Sequence, residues 1–239
     1  MMADTLGFDR LNRIGTDQEE ERKMRSMPYD RYFGEMDLSD DQKKKREETA
    51  RDLEDKVLLY LLLMQQMIES GMIDINEIYE KFSSAYLDVI VSGSISNTDY
   101  FTATHIADAI ASIINTTLKN PDDPFMFSLD RARLIAENES NFIWNDAEFQ
   151  EAIEDGYTHK TWRAIIDKRT RETHSEVNGT KIPITEPFEV GDSLLMFPTD
   201  TSLGAAAGEI VNCRCSLKYT RETQSFSDQI ISALRGLLG

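Results

Sequence analysis

From Ser39 onward apolar residues recur at helical spacing, and four helices can be drawn before the pattern changes. Ser39-Asp40-Asp41-Gln42 has the spacing of a capping box, and no Gly or Pro follows until Gly71, which predicts one long helix over 39–70. Its first half carries Lys43, Lys44, Lys45, Arg46, Glu47 and Glu48, read as a solvated face, whereas 57–68 is apolar nearly all round and must be buried. A second helix fits 74–90, capped by Asp74 with Glu77 and presenting Ile75, Ile78, Tyr79, Phe82, Tyr86, Val89 and Ile90. After Ser-Gly-Ser and Asn-Thr turn signals, a third runs from about 98 to 119 with Ile106, Ile110, Ile113, Ile114 and Leu118, and stops before Pro121. His105 on it reads as a surface or boundary residue. Ser128 caps a fourth helix ending near Asp155, with Gly156 as terminator and Leu134, Phe142, Ile143, Phe149 and Ile153 among its apolar positions.

Beyond Gly156 the period shortens toward two. Trp162, Ala164 and Ile166 alternate with Arg163, Ile165 and Asp167, as in a half-buried strand. Asn178-Gly179, between Glu176-Val177 and Thr180-Lys181-Ile182, predicts a β-hairpin closed by a type I′ turn, which needs positive φ at both central residues. The stretches 193–197 and 214–219 read as further strands. Between them 201–208, rich in Gly and Ala, is a loop that lets another backbone or ligand approach closely. Residues 227–238 form a short amphipathic helix with Ile230, Ile231, Leu234, Leu237 and Leu238 near one side, suited to latching onto the helical layer or a neighbouring protein. At the other end, 1–38 shows scattered charge, Gly7, Gly15, Gly34, Pro28 and no sustained period, and reads as a mobile or partner-ordered arm. Its aromatic group Tyr29, Tyr32 and Phe33 either docks onto a partner or tucks back onto the chain.

The expected class is therefore α+β, an N-terminal helical region followed by a small mixed β-sheet domain with a β-hairpin. The boundaries are an arm over 1–38, helices over 39–127, a helix plus small sheet over 128–220 and the C-terminal amphipathic helix over 221–239.

With 239 residues, 40% hydrophobic and 29% charged, the chain has material for one sizeable core or two modest ones. The longest apolar run, 57–64, is far below the roughly 20 residues a membrane span needs, and no basic-then-apolar signal opens the chain, so cytosolic synthesis without a membrane partner is expected. A net charge of −17 argues against sequence-independent binding of phosphate backbone by the bulk surface. Residues 57–127 hold nine acids against two bases, whereas 157–185 hold six bases against three acids, so any nucleic-acid contact belongs in the second window. A solvated basic edge that deters sheet aggregation is its plainer reading.

The most distinctive stretch is 162–215, which gathers Trp162, Asp167, Arg169, Thr170, Arg171, His174, Pro198, Asp200, Asn212, Cys213, Arg214 and Cys215. Three chemistries fit it. His174, Cys213 and Cys215, with Asp167 or His159 as a fourth, offer ligands that zinc accepts. On a strand the two thiols would point the same way about 7 Å apart, so a bend is needed for both to reach one ion. Buried, reduced, unliganded thiols are the rival, because a disulfide across one intervening residue would be strained. Second, His174 could move a proton while Arg169, Arg171 or Arg214 steadied a negative transition state, which makes His174, Arg171 and Asp167 the catalytic candidates. The same groups serve equally as an ion network holding the sheet domain together. Third, apolar surfaces of the helical region could bind another protein while the compact domain acts as a fixed plug.

Taken in order, Trp162, Asp167, Thr170, Arg171, His174, Pro187, Phe188, Gly191, Pro198, Asp200 and Asn212-Cys213-Arg214-Cys215 resemble the C-terminal domain of the phage Mu F-like minor head proteins, the head-morphogenesis family of tailed phages. Ala136-Glu137-Asn138-Glu139 resembles that family's Ala-Arg-Thr-Glu helix, with Glu137 and Asn138 where Arg and Thr usually stand. The resemblance covers about 128–219. It implies a minor capsid protein acting in head morphogenesis, with the phage portal protein, other head proteins and packaged DNA as partners. The implied location is the virion, in the head interior or at the portal vertex, and the host cytoplasm during assembly. The alternatives are a nuclease-like or transferase-like enzyme using His174 and nearby arginines, and a zinc-stabilised binding module. No cofactor other than that zinc is expected.

Overall fold

The computed structural model describes residues 29, 32–92 and 100–222. The helix expected at 227–238 and the arm before Tyr29 lie outside the described residues.

Helix α1, Asp40–Ser70, begins at its capping box: the Ser39 hydroxyl accepts from the Gln42 N–H at 3.2 Å, and Gln42 Oε1 accepts from the Ser39 N–H at 3.0 Å. It ends where Gly71, at φ +70°, turns its N–H back to Ile68 O. Helix α2, Ile75–Ser92, is capped by the Asp74 carboxylate, which accepts from the N–H groups of Asn76 and Glu77. Helix α3, Tyr100–Lys119, and a single 3-10 turn, Pro124–Phe127, lead to α4, Leu129–Glu154, capped by Ser128. Buried Arg131 ties these together by donating to Ile113 O, Thr117 Oγ1 and Met126 O.

Helix α1 lies along α4, with α2 against α1 and α3 against α2. Leu53, Val57, Leu61 and Met64 of α1 meet Phe82, Tyr86, Ile110, Phe142 and Ile143 in one core that continues into Trp162, Phe188, Val190, Leu195, Phe197 and Leu217. Helices and sheets thus share a single apolar interior across the boundary expected near 127. Burial of the 57–68 stretch is one-sided. Leu59 is exposed, and past the end of α1 so are Met72, Ile73, Ile75 and Tyr79.

The sheet region is antiparallel in every described pairing, where a mixed sheet was expected. Strand β1, His159–Arg163, lies between β2, Lys181–Pro183, and β5, Ser216–Thr220. A separate hairpin pairs β3, Phe188–Val190, with β4, Ser193–Leu195, around Gly191 at φ +57°. A Cβ at Gly191 would stand 3.0 Å from Thr173 Cγ2, so this turn sits tightly on the short helix α5, Glu172–Val177. A last short helix, α6, spans Ala207–Ile210.

Three further expectations are corrected. The alternation from Trp162 to Asp167 is strand only as far as Arg163, and Ile166 is exposed, because Asp167 folds the backbone into a turn by accepting from the Arg169 N–H at 2.8 Å. Asn178-Gly179 closes no type I′ hairpin. Glu176 and Val177 belong to α5, Asn178 sits at φ −59° and ψ 129°, Gly179 at φ +79°, and the Thr180 N–H donates to Val177 O, the geometry of a type II turn. The segment still pairs, but with β1: the Gly179 N–H donates to Trp162 O and Asn178 Oδ1 accepts from the Ala164 N–H. The hairpin lies thirteen residues further on. Finally, the described part of the 1–38 arm is packed: Tyr29, Tyr32, Phe33 and Met36 are buried in a cluster with Ala50, since four large apolar side chains have nowhere better to go than the α1 surface.

Candidate functional site

The Asn-Cys-Arg-Cys segment enters β5 through Asn212, which adopts the left-handed φ of +57° that Asn tolerates better than most residues. Its N–H donates to Asn138 Oδ1 of α4 at 2.6 Å. The two cysteine carbonyls are then clamped. Asn141 Nδ2 donates to Cys213 O at 2.8 Å, Asn145 Nδ2 donates to Cys215 O at 3.2 Å and to Pro198 O at 3.1 Å, and the Tyr32 hydroxyl donates to Cys213 O at 2.8 Å. Asn141 and Asn145 stand one helical turn apart on the buried face of α4. Behind them lies Arg46, 0% exposed, which donates to both amide oxygens and bidentately to Glu148 at 2.7 and 2.8 Å. Arg46 therefore departs from the solvated face expected for 43–48.

The bend at Asn212 brings Cys213 and Cys215 to one point with His174, and all three are buried. His174 Nδ1 lies 3.3 Å from Cys215 Sγ and 3.7 Å from Cys213 Sγ, and Nε2 lies 3.0 Å from Glu209 Oε2. Since a carboxylate only accepts, Nε2 carries the proton that meets Glu209, and Nδ1 faces the two sulfurs. Glu209 is steadied in turn by the Thr173 hydroxyl at 2.9 Å. Trp162, fully buried on β1, meets the His174 ring edge-on at 5.7 Å and Phe188 at 5.1 Å. The hydrogen bond from Cys215, with His174 beside it, draws the Cys213 thiol below its ordinary range, while the same bond and burial push Cys215 well above it. Burial pulls the His174 imidazole down, but the bond to Cys213 and its charge outweigh this and leave it raised.

A second group lies at the rim. Arg214 grips Asp167 through two bonds of 2.8 and 2.7 Å and reaches Glu35 at 3.2 Å, and Arg169 adds a contact to Asp167 at 3.2 Å. The Arg214 guanidinium holds the Asp167 carboxyl well below the usual carboxylate range. The contribution this makes to folding is present above the ordinary Asp value near pH 4 and is lost as pH falls through the folded one. Asp167→Asn should cost about 2 kcal/mol at pH 7, the scale of a hydrogen bond to a charged group. Urea midpoints followed downward from pH 5 should fall less steeply in the variant than in the parent.

A third group supports β4. Asp200 accepts from the Met196 N–H at 2.7 Å and the Ser202 N–H at 2.8 Å, next to Thr199 at φ +76°. Lys160, buried against the rings of Phe149 and Phe188, donates to Met196 O, and burial pulls its amine down to about 8. Arg171 caps Val211 O and Thr170 caps Ile165 O. Pro187 only leads the chain into β3.

The distinctive residues thus fall into three clusters instead of one. Asp167 and His159, each expected as a fourth metal ligand, are elsewhere: Asp167 is held by Arg214, and His159 lies beside Thr158 and Glu222 at the sheet edge. Among the described residues the metal-competent group is His174, Cys213 and Cys215. His105 stacks on Phe142 and contacts Glu139 at 3.1 Å, a boundary residue as expected. Tyr32, Arg46, Asn141, Asn145 and Glu209 carry much of the site yet stand out only weakly in sequence; the best signal is the pair of amides Asn141 and Asn145 one turn apart on α4. The cavity beside His174 and the cysteines is about 20 Å³, room for one water or ion and for no organic substrate.

The arrangement is an α+β domain in which many of the distinctive polar residues face inward and brace one another. Residues 101–218, just under half of the chain, match the family described as Phage Mu protein F like protein. A curated relative, the NAD(+)--arginine ADP-ribosyltransferase EFV of Enterococcus faecalis (strain ATCC 700802 / V583), is 38% identical over 69 residues. That similarity spans 28% of this chain and 14% of the relative. No solved structure matches. No helix among the described residues is long and apolar enough to cross a membrane.

Proposed function

We propose that this chain is a minor head protein that docks at the portal vertex during head assembly, from the head interior. The observation that carries this reading is the pairing of the family match over 101–218 with a motif that is internally satisfied. His174 is 2% exposed and its cavity is one solvent molecule in size, so the residues that resemble an active site are closed to substrates. What the molecule offers outward is an apolar end where α1 turns into α2, with Met72 73%, Ile75 52% and Ile73 45% exposed. Exposed neighbouring apolar side chains of this kind favour a protein partner.

Contact with packaged DNA draws less support. Of the six bases in 157–185, Lys168 is exposed, Lys160 is buried, Arg163 pairs with Asp37, Arg169 with Asp167, and Lys181 with Glu222, while Arg171 caps a carbonyl. Little positive charge is left there for phosphate.

Co-expression of the chain with the portal protein of its own phage, followed by size-exclusion chromatography, should give a joint complex. The double variant Met72→Asp, Ile75→Asp should weaken that complex by tenfold or more, on the scale of about 1.4 kcal/mol per decade, while leaving the thermal midpoint of the free protein nearly unchanged. Separate elution of wild-type chain and portal would contradict the docking, and histidine-dependent cleavage of RNA or DNA by the purified chain would favour the nuclease-like reading instead.

A further inference from the structure

We infer that His174, Cys213 and Cys215 form a three-ligand site for one zinc ion, its fourth position completed by solvent in the adjoining cavity. The argument is metric. A tetrahedral zinc with bonds of about 2.3 Å to sulfur and about 2.0 Å to nitrogen sets its sulfur and nitrogen ligands roughly 3.5 Å apart. His174 Nδ1 stands 3.3 and 3.7 Å from the two sulfurs, and all three ligand atoms lie within 4.8 Å of one another. The donors are of the right kind: two soft sulfurs with an imidazole select zinc over the hard, oxygen-seeking cations.

The surroundings fit as well. Glu209 at 3.0 Å from Nε2 supplies the carboxylate that orients a metal-binding histidine and leaves Nδ1 free as the donor atom. The Trp162 indole N–H is fully buried beside His174 and has no hydrogen-bond partner. A thiolate bound to a cation would supply the acceptor this donor otherwise lacks. With about 20 Å³ beside the cluster, the open position holds a water and admits nothing larger, so the ion is structural. It would cross-link α5 to the segment entering β5, which are 39 residues apart along the chain at His174 and Cys213.

Full-length protein made without a metal-binding tag, in medium with ordinary trace metals, should contain about one zinc per chain by elemental analysis. The cobalt-substituted protein should show the intense visible bands of a tetrahedral site with a thiolate charge-transfer band. Chelator should lower the thermal midpoint of the wild type, and zinc should restore it. Cys215→Ser should lose the metal. Because that variant could also unfold, Glu209→Gln serves as the milder probe, keeping the fold and weakening zinc affinity about 10- to 100-fold. Absence of stoichiometric metal from folded protein, both as isolated and after zinc is added, would overturn the site and leave a hydrogen-bonded pair of thiols.

Discussion

Removing residues 1–38 is expected to abolish the cooperative fold. Tyr29, Tyr32, Phe33 and Met36 are each no more than 6% exposed, and the Tyr32 hydroxyl holds the Cys213 carbonyl on the far side of the chain. Truncating one buried aromatic costs about 3–5 kcal/mol. Three together match the roughly 5–15 kcal/mol that holds a domain folded. Arg214 would also lose Glu35, and Arg163 would lose Asp37. Thermal melts of the 39–239 chain beside the full chain, followed by circular dichroism, test this. A sharp transition in the 39–239 chain close to that of the full chain would mean that the aromatic cluster is dispensable. If it is, the arm could act on partners alone.

Trp162→Ala is expected to be the most damaging single substitution, at about 3–5 kcal/mol. Its side chain is fully enclosed and touches both the His174 and Phe188 rings, so its loss leaves a cavity at the junction of β1, β3 and α5. Trp162→Phe should cost less, because a smaller ring fills part of the volume. Besides a lower denaturation midpoint, the alanine variant should show faster labelling of Cys213 and Cys215 by a thiol reagent, because Trp162 shields them. Labelling as slow as in the wild type would show that the cysteines are protected by something other than this packing.

Much of the helical layer was legible because helix ends are local chemistry. Ser39 with Gln42, Gly71, Asp74, Ser128 and Gly156 each act within four residues of themselves, and each marks a helix end as expected. The sheet region was less legible because its signals are short. Six residues of α5 are too few to show a period, so Asn178-Gly179 was read with strands on both sides when its neighbour is a helix. Arg46 sits in a run of charges and looks solvated. Its burial depends on Asn141, Asn145 and Glu148, about a hundred residues away, which no local pattern records. The candidate site shows the same division. His174, Cys213 and Cys215 were identifiable by type and spacing, but their convergence rests on one left-handed residue, Asn212, and on the α4 amides that pin the carbonyls. Glu209 follows a Gly- and Ala-rich loop and gave no hint of its place beside His174.

We propose, centrally, that the braced motif gives this chain its shape for building heads. The most direct test is the composition of heads purified from the parent phage and from one lacking this gene, read by quantitative mass spectrometry beside the yield of infectious particles. The account predicts the chain in parental heads in a few copies, with a fall in infectious yield on deletion that is reversed by supplying the gene in trans. Heads that never contain the chain and form at full yield without it would contradict the account.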